Sequence, residues 1–402
     1  MKLPFTKKAP VASAGAALDL RNYTAHNGAA ISGAGPLEIT TDAAQWSYAA
    51  AFRYRGAKKG SAGRILVRVK ARVDEGRIGV AFVKDDLTEI LGNDEERSPV
   101  DGDTTVEIVV DGAPDSGWVV IRNNAQGGVP SRCAIFGLEA ENLPPAATPD
   151  ISALTSADSS GAALFAVLRE KWCEVPAGLT GRRKTADLLK LDDEKLAALW
   201  DESHRESTTG SGYAARGWYH ELYADVLRGR KVLDVGSGFG LDGISFARAG
   251  ARMTFLDIAP TNLDVLRRLC RILHIENADF VYLEDLRSID RLPMDFDVIW
   301  CQGSMIHAPF EFVRGEARKL LEHLRARGRW IELAYPRERW EREGRLAFDR
   351  WGKHTDGAAT PWAEWYDLAR LRERLRPAEF DAVLSFNFHG NDFIWFDLVR
   401  RA

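Results

Sequence analysis

Residues 232–240, VLDVGSGFG, together with Asp257, have the types and spacing to bind a nucleoside. An apolar run breaks into Gly236, Gly238 and Gly240, and the missing Cβ atoms let a ligand approach the backbone at a helix N-terminus. Asp257 closes the next apolar run, residues 253–256, about 20 residues beyond the loop, where a carboxylate accepts hydrogen bonds from ribose hydroxyls.

Two details choose among nucleotides. The dinucleotide pattern G-x-G-x-x-G needs a glycine where this chain has Leu241, and a G-x-x-x-x-G-K-[ST] phosphate loop is absent from the stretch. Asp234, two residues before the first glycine, would repel a pyrophosphate and attract an ammonium group. S-adenosylmethionine (SAM) presents an α-ammonium, a sulfonium and a ribose with free hydroxyls but no phosphate, and suits the two acids.

The stretch resembles the class I SAM-dependent methyltransferases, whose first motif is a strand with an acid followed by G-x-G-x-G. The likeness runs over residues 212–402: Asp257 falls on the ribose acid, Glu284 and Asp285 after the apolar run 280–283 on the adenine-edge motif, and residues 296–302, FDVIWCQ, on the fourth strand. It implies a doubly wound α/β sheet of seven strands with a C-terminal antiparallel hairpin. SAM is the implied cofactor, held by Asp234, Gly236, Ser237, Gly238, Gly240, Asp257, Ile258, Asp285, Leu286 and Gln302.

Upstream, Tyr213 and Arg216 are candidates for the methionine carboxylate, a task the acids of the loop cannot perform; alternatively Arg216 pairs with a surface carboxylate and Tyr213 packs. His307 follows the fourth strand on the carboxyl edge of the sheet, where ligands of such sheets bind, and is the candidate base for a hydroxyl nucleophile. The alternative is a histidine that caps a helix or orients its loop. Glu332, Tyr335, Trp362, Glu364 and Trp365 combine aromatic faces with carboxylates, a set that suits a sugar and also an aromatic ring. Residues 337–345, dense in Arg and Glu, read as a solvated helix face.

The elements that must position these residues follow from the change of period along the chain. Residues 65–73, 78–83, 105–110 and 118–122 alternate polar and apolar between Gly, Asp and Asn turns, predicting an antiparallel β-sandwich, jelly-roll-like, over 1–145. Its alternation resembles carbohydrate-binding modules, without a specific motif; an oligomerising or structural role fits equally. Residues 146–160 are rich in Pro, Ala and Ser and read as a linker. Helical spacing over 161–227 predicts a cap, and 228–402 the catalytic domain. At its end, residues 382–388 and 393–399 flank a turn too short for anything but an antiparallel hairpin.

The chain of 402 residues carries a formal charge of -4, which gives no attraction to nucleic acid, and no apolar stretch has the ~18 residues of a membrane span. With no secretory signal at the start, a cytoplasmic protein is expected. Four scattered cysteines form no C-x-x-C pair, and no His and carboxylate set suggests a metal site. The reading is a SAM-dependent methyltransferase acting on a saccharide hydroxyl, and homo-oligomerisation is open. The alternatives are O- or N-methylation of another small molecule, or a non-catalytic SAM-binding scaffold.

Overall fold

The computed structural model describes residues 16–33, 35–56, 63–111, 114–143, 150–157, 160–177, 181–357 and 359–402. The chain divides into two compact units, Met1–Ala147 and Thr148–Ala402.

The first unit is two antiparallel sheets. One orders Ala30–Ser32, Leu37–Thr40, Arg132–Leu143, Arg64–Glu75 and Asp103–Asp111, with Ala16–Ala17 also on Arg132–Leu143; the other orders Tyr23–Ala25, Tyr48–Arg55, Ser116–Asn123, Ile78–Val83 and Ile90–Arg97. Alternate residues such as Val67, Val69, Phe82, Ile108, Val119 and Ile121 bury between them, as the period-two pattern requires. Three of the four expected strands lie inside longer observed ones, and the fourth, Ile78–Val83, has the expected bounds. Strand Tyr48–Arg55 carries Ala49, Ala50 and Ala51 in a row, which blurs the alternation in the sequence.

The second unit is built on strands β1 (Lys231–Val235), β2 (Arg252–Asp257), β3 (Ala278–Tyr282), β4 (Phe296–Gln302), β5 (Leu324–Pro336), β6 (Trp365–Tyr366), β7 (Phe380–Phe388) and β8 (Phe393–Arg400). The sheet order is β3-β2-β1-β4-β5-β8-β7, and β6 pairs with the end of β5. The expected seven strands are therefore joined by an eighth, two residues long, which no alternation could announce. Strands β1 to β5 are parallel; β8 runs antiparallel to β5 and to β7, completing the hairpin. Because the chain leaves β1 toward β2 and β3 and returns to the other side for β4, the order reverses between β1 and β4, and a crevice opens at their carboxyl ends. All but the first residue of β1 is buried, the near-continuous apolar run of a strand covered on both faces.

Two boundaries move. Residues 146–149 and 158–159 of the expected linker lie outside the described residues, and Ile151–Ala157 within it is a helix whose Ile151, 3% exposed, joins the second unit's core. The expected helical cap contains the helices Ala162–Trp172, Asp193–Thr209 and Trp218–Val226, and also a two-stranded ribbon, Glu174–Pro176 with Arg182–Lys184. Among the described residues no helix is long and apolar enough to cross a membrane.

Candidate active site

The crevice between β1 and β4 opens into a cavity lined by the glycine loop, Asp257, Ile258, Gln302, His307, Tyr335 and Arg216, and also by Trp172, Tyr219, Asp242 and Asp356. At its floor Gly236 has φ +74°, and a Cβ there would meet Ser304 Cβ at 2.4 Å; Gly240 has φ +70°, and its Cβ would meet Leu266 at 2.3 Å. Only glycine lets the chain turn here and pack this closely.

Asp257 ends β2 with both oxygens engaged: Gly238 N donates to Oδ2 at 3.0 Å, and Ala259 N and Asn262 Nδ2 donate to Oδ1 at 2.8 and 3.1 Å. Burial pushes this carboxyl up to about 6 against those hydrogen bonds. The carboxyl so fastens the loop to β2, with further acceptor lone pairs for a ribose. Asp234, 4% exposed, is pushed well above the carboxylate range by burial and by Asp242 and Asp257 beside it.

Asp242, in the first turn after the loop, behaves oppositely. His220 Nε2 lies 2.6 Å from Oδ1, Trp300 Nε1 donates to Oδ2 at 3.1 Å, and Tyr219 OH is 3.3 Å from Oδ1. Burial opposes its charge, yet the bond to His220, the Arg216 charge and the indole hold it below the usual range.

Trp172 and Tyr335 face His307 with ring centroids 4.3 and 6.3 Å away. His307 Nδ1 is 3.0 Å from the Trp362 carbonyl oxygen, which only accepts, so Nδ1 carries the hydrogen and Nε2 keeps the basic lone pair. Burial pushes the imidazole below its ordinary value, with Asp356 pulling the other way. Asp356 accepts from Tyr335 OH at 2.8 Å and from Thr355 Oγ1 at 2.7 Å.

Several expected residues stand elsewhere. Glu332 is 0% exposed, accepts from Trp330 Nε1 at 2.7 Å and forms a core ion pair with Arg374, off the cavity. Glu364 accepts from Phe310 N and Trp362 Nε1 at 3.1 and 3.0 Å and pairs with Arg370. Trp365 lies 4.6 Å from the Arg370 guanidinium, which Phe310 flanks at 5.0 Å. Trp365 thus packs against a cation and Trp362 against Phe348, with ring centroids 5.9 Å apart, and neither walls the cavity. Asp285 spends its carboxylate on Arg287 N, Ser288 N and the Arg287 guanidinium, capping the 3-10 turn Leu286–Arg291. Leu286 packs into the core, and Leu283 lines the cavity in its place. Tyr213, 39% exposed, is off the cavity, whereas Arg216 is on it.

The residues present fit SAM. Among the described residues Gln302 Nε2 and Oε1 and Ser304 Oγ, buried on the cavity wall, have no hydrogen-bond partner, the condition of groups that suit a polar ligand. Among the described residues no set of three His, Cys, Asp or Glu is placed to hold a metal ion.

Residues 232–328 match the Methyltransferase domain family, and this segment is a SAM-dependent methyltransferase domain. The chain is similar to the ubiquinone biosynthesis O-methyltransferase of Neisseria meningitidis serogroup C, at 34% identity over 113 residues, 27% of this chain and 46% of the relative. It is similar also to that of Idiomarina loihiensis, at 29% over 138 residues, 33% of this chain and 56% of the relative. The chain thus spans about half the length of these curated relatives. Among solved structures, magnesium protoporphyrin IX methyltransferase from Synechocystis PCC 6803 aligns with 62% of this chain and 99% of that one at 19% identity and a TM-score of 0.37.

Proposed function

We propose that this protein transfers the methyl group of SAM to a hydroxyl of a small, ring-bearing molecule, with His307 as the base. The observation that carries the reading is the buried imidazole on the wall of the cavity, its Nδ1 hydrogen fixed on the Trp362 carbonyl so that Nε2 is free to take a proton. Bound SAM supplies a methyl group on an already activated sulfonium leaving group. The protein's own residues hold the acceptor, keep water out and receive the hydroxyl proton. Asp356, on the same cavity, carries the negative charge that stabilises the imidazolium once His307 has taken that proton. Glycine loop, Asp257, Ile258 and Gln302 are assigned to the cofactor, and Tyr335, Trp172, Phe239 and Phe393 to the acceptor.

The wall is apolar and aromatic where the acceptor would lie, and this favours a planar ring over a saccharide. The sugar reading loses its main supports, since Glu332, Trp362, Glu364 and Trp365 do not line the cavity. The O-methyltransferase names of the similar proteins support oxygen as the acceptor atom. In this reading residues 228–402 are the catalytic domain and 161–227 its cap.

His307→Ala is expected to lower kcat by ~10² or more and leave S-adenosylhomocysteine affinity nearly unchanged. Because burial lowers the imidazole pKa, activity of the unaltered enzyme should rise with pH through a point below the ordinary ~6.5. Turnover by the alanine variant equal to that of the parent, measured with a catechol or phenol panel, would return His307 to a structural role.

A further inference from the structure

We propose that Asp242, held by His220 and Trp300, receives the α-ammonium of the cofactor's amino-acid arm, with Arg216 beside it receiving the α-carboxylate. The inference rests on the SAM reading and reassigns one end of it: the strand acid Asp234, which the spacing alone puts against the ammonium, is replaced by an acid in the next helix.

Three observations separate the two acids. Both acids line the cavity, but Asp234 lies against the helix: a Cβ on Gly243 would lie 2.7 Å from its Oδ2, so its carboxyl fills space that a glycine leaves on the Leu241–Arg248 helix. Among the described residues its carboxyl has no hydrogen-bond donor other than the Ser237 hydroxyl, and burial disfavours its charge. Asp242, by contrast, is gripped by donors from two other elements, His220 on the Trp218–Val226 helix at 2.6 Å and Trp300 on β4 at 3.1 Å. Donors fixed in that way stabilise a carboxylate as an anion and set its direction. An anion on a cavity wall with a low local dielectric attracts a cation far more strongly than a neutral carboxyl does.

Arg216 supplies the opposite charge. It lines the same cavity, its field acts on Asp242, and among the described residues it makes no ion pair. A lone guanidinium next to a buried carboxylate matches the two charges of an α-amino acid zwitterion, and a nucleoside without that arm meets neither.

The test is calorimetry with two ligands, S-adenosylhomocysteine and 5′-methylthioadenosine, which lacks the amino-acid arm. For the parent protein the first should bind more tightly. Asp242→Asn should weaken S-adenosylhomocysteine about tenfold or more and leave 5′-methylthioadenosine unchanged, and Arg216→Gln should behave likewise. Asp234→Asn should leave the preference between the two ligands in place. The inference is overturned if Asp242→Asn shifts both ligands equally or neither, or if Asp234→Asn is the variant that abolishes the preference; this second arm decides should Asp242→Asn fail to fold. Failure of the parent to bind either ligand would instead count against the SAM reading itself.

Discussion

Glu316 shows what the cavity costs the fold. It lines the floor on the Phe310–His323 helix, almost fully buried, and among the described residues its carboxyl accepts no hydrogen bond. Burial pushes it up to about 7, with Arg374 pulling down and Glu332 pushing up. A carboxyl raised from 4.5 in this way favours the fold while protonated, so its contribution is complete below 4.5 and is lost as the pH rises through about 7. Above that the charged form opposes folding by roughly 3 kcal/mol. Glu316→Gln, which keeps the volume and removes the charge, is therefore expected to raise the melting temperature at pH 8 and hardly at pH 4, a difference that thermal scans across that range would read. An equal effect at both ends would mean that the carboxyl is solvated or paired.

At the scale of elements, the helix after the glycine loop reverses an ordinary rule. Alanine in place of glycine inside a helix usually stabilises by roughly 1 kcal/mol. At Gly243 the new Cβ would sit 2.3 Å from Phe255 Cε1 as well as against Asp234, so Gly243→Ala is expected to destabilise by about 1–3 kcal/mol, measured by urea unfolding. The same elements explain what could be read before the fold was seen. The places of the loop and Asp257 on the cavity were legible because β1, the turn and β2 lie next to one another in the chain and each carries its own period, and that of Gln302 because it ends the apolar run of β4. Asp242 was not, because its partners His220 and Trp300 are 22 and 58 residues away, on a helix and a strand whose meeting no spacing records. Of the expected acceptor set only Tyr335 lines the cavity, and part of the reason was in the sequence. Residues three apart on a strand face opposite sides, so Glu332 and Tyr335 cannot both meet one ligand from β5; Leu333 shares the face of Tyr335, and both line the cavity.

For the whole molecule the division at Ala147 and Thr148 sets a sharper test than the Pro-rich composition did. Every cavity residue lies at or after Phe165. A chain beginning at Asp150 is expected to fold and bind S-adenosylhomocysteine as the full chain does. One beginning at Ser160 loses the Ile151–Ala157 helix and with it the buried Ile151, a loss of about 1.5–3 kcal/mol from that side chain alone. Melting temperatures of the two shortened chains should therefore differ. Equal values would make the helix dispensable, and loss of binding in the longer one would make residues 1–147 part of what shapes the cavity. The two-sheet architecture was legible from alternation, whereas the helix at 151 was hidden because seven residues, with Ile151 and Leu154 the only large apolar ones, carry too few turns to show a period.

The hairpin that ends the chain has a consequence for behaviour in crowded solution. Strand β7 is the margin of the sheet, with Val383 and Phe386 exposed, and a long flat margin of that kind would template the addition of a further strand from another molecule. The register slips between Ala382 and Leu384, where β7 carries one residue more than β8 can match. A surplus residue of this kind adds local twist to a strand, and a twisted, irregular margin is a poorer template for a further strand than a flat one.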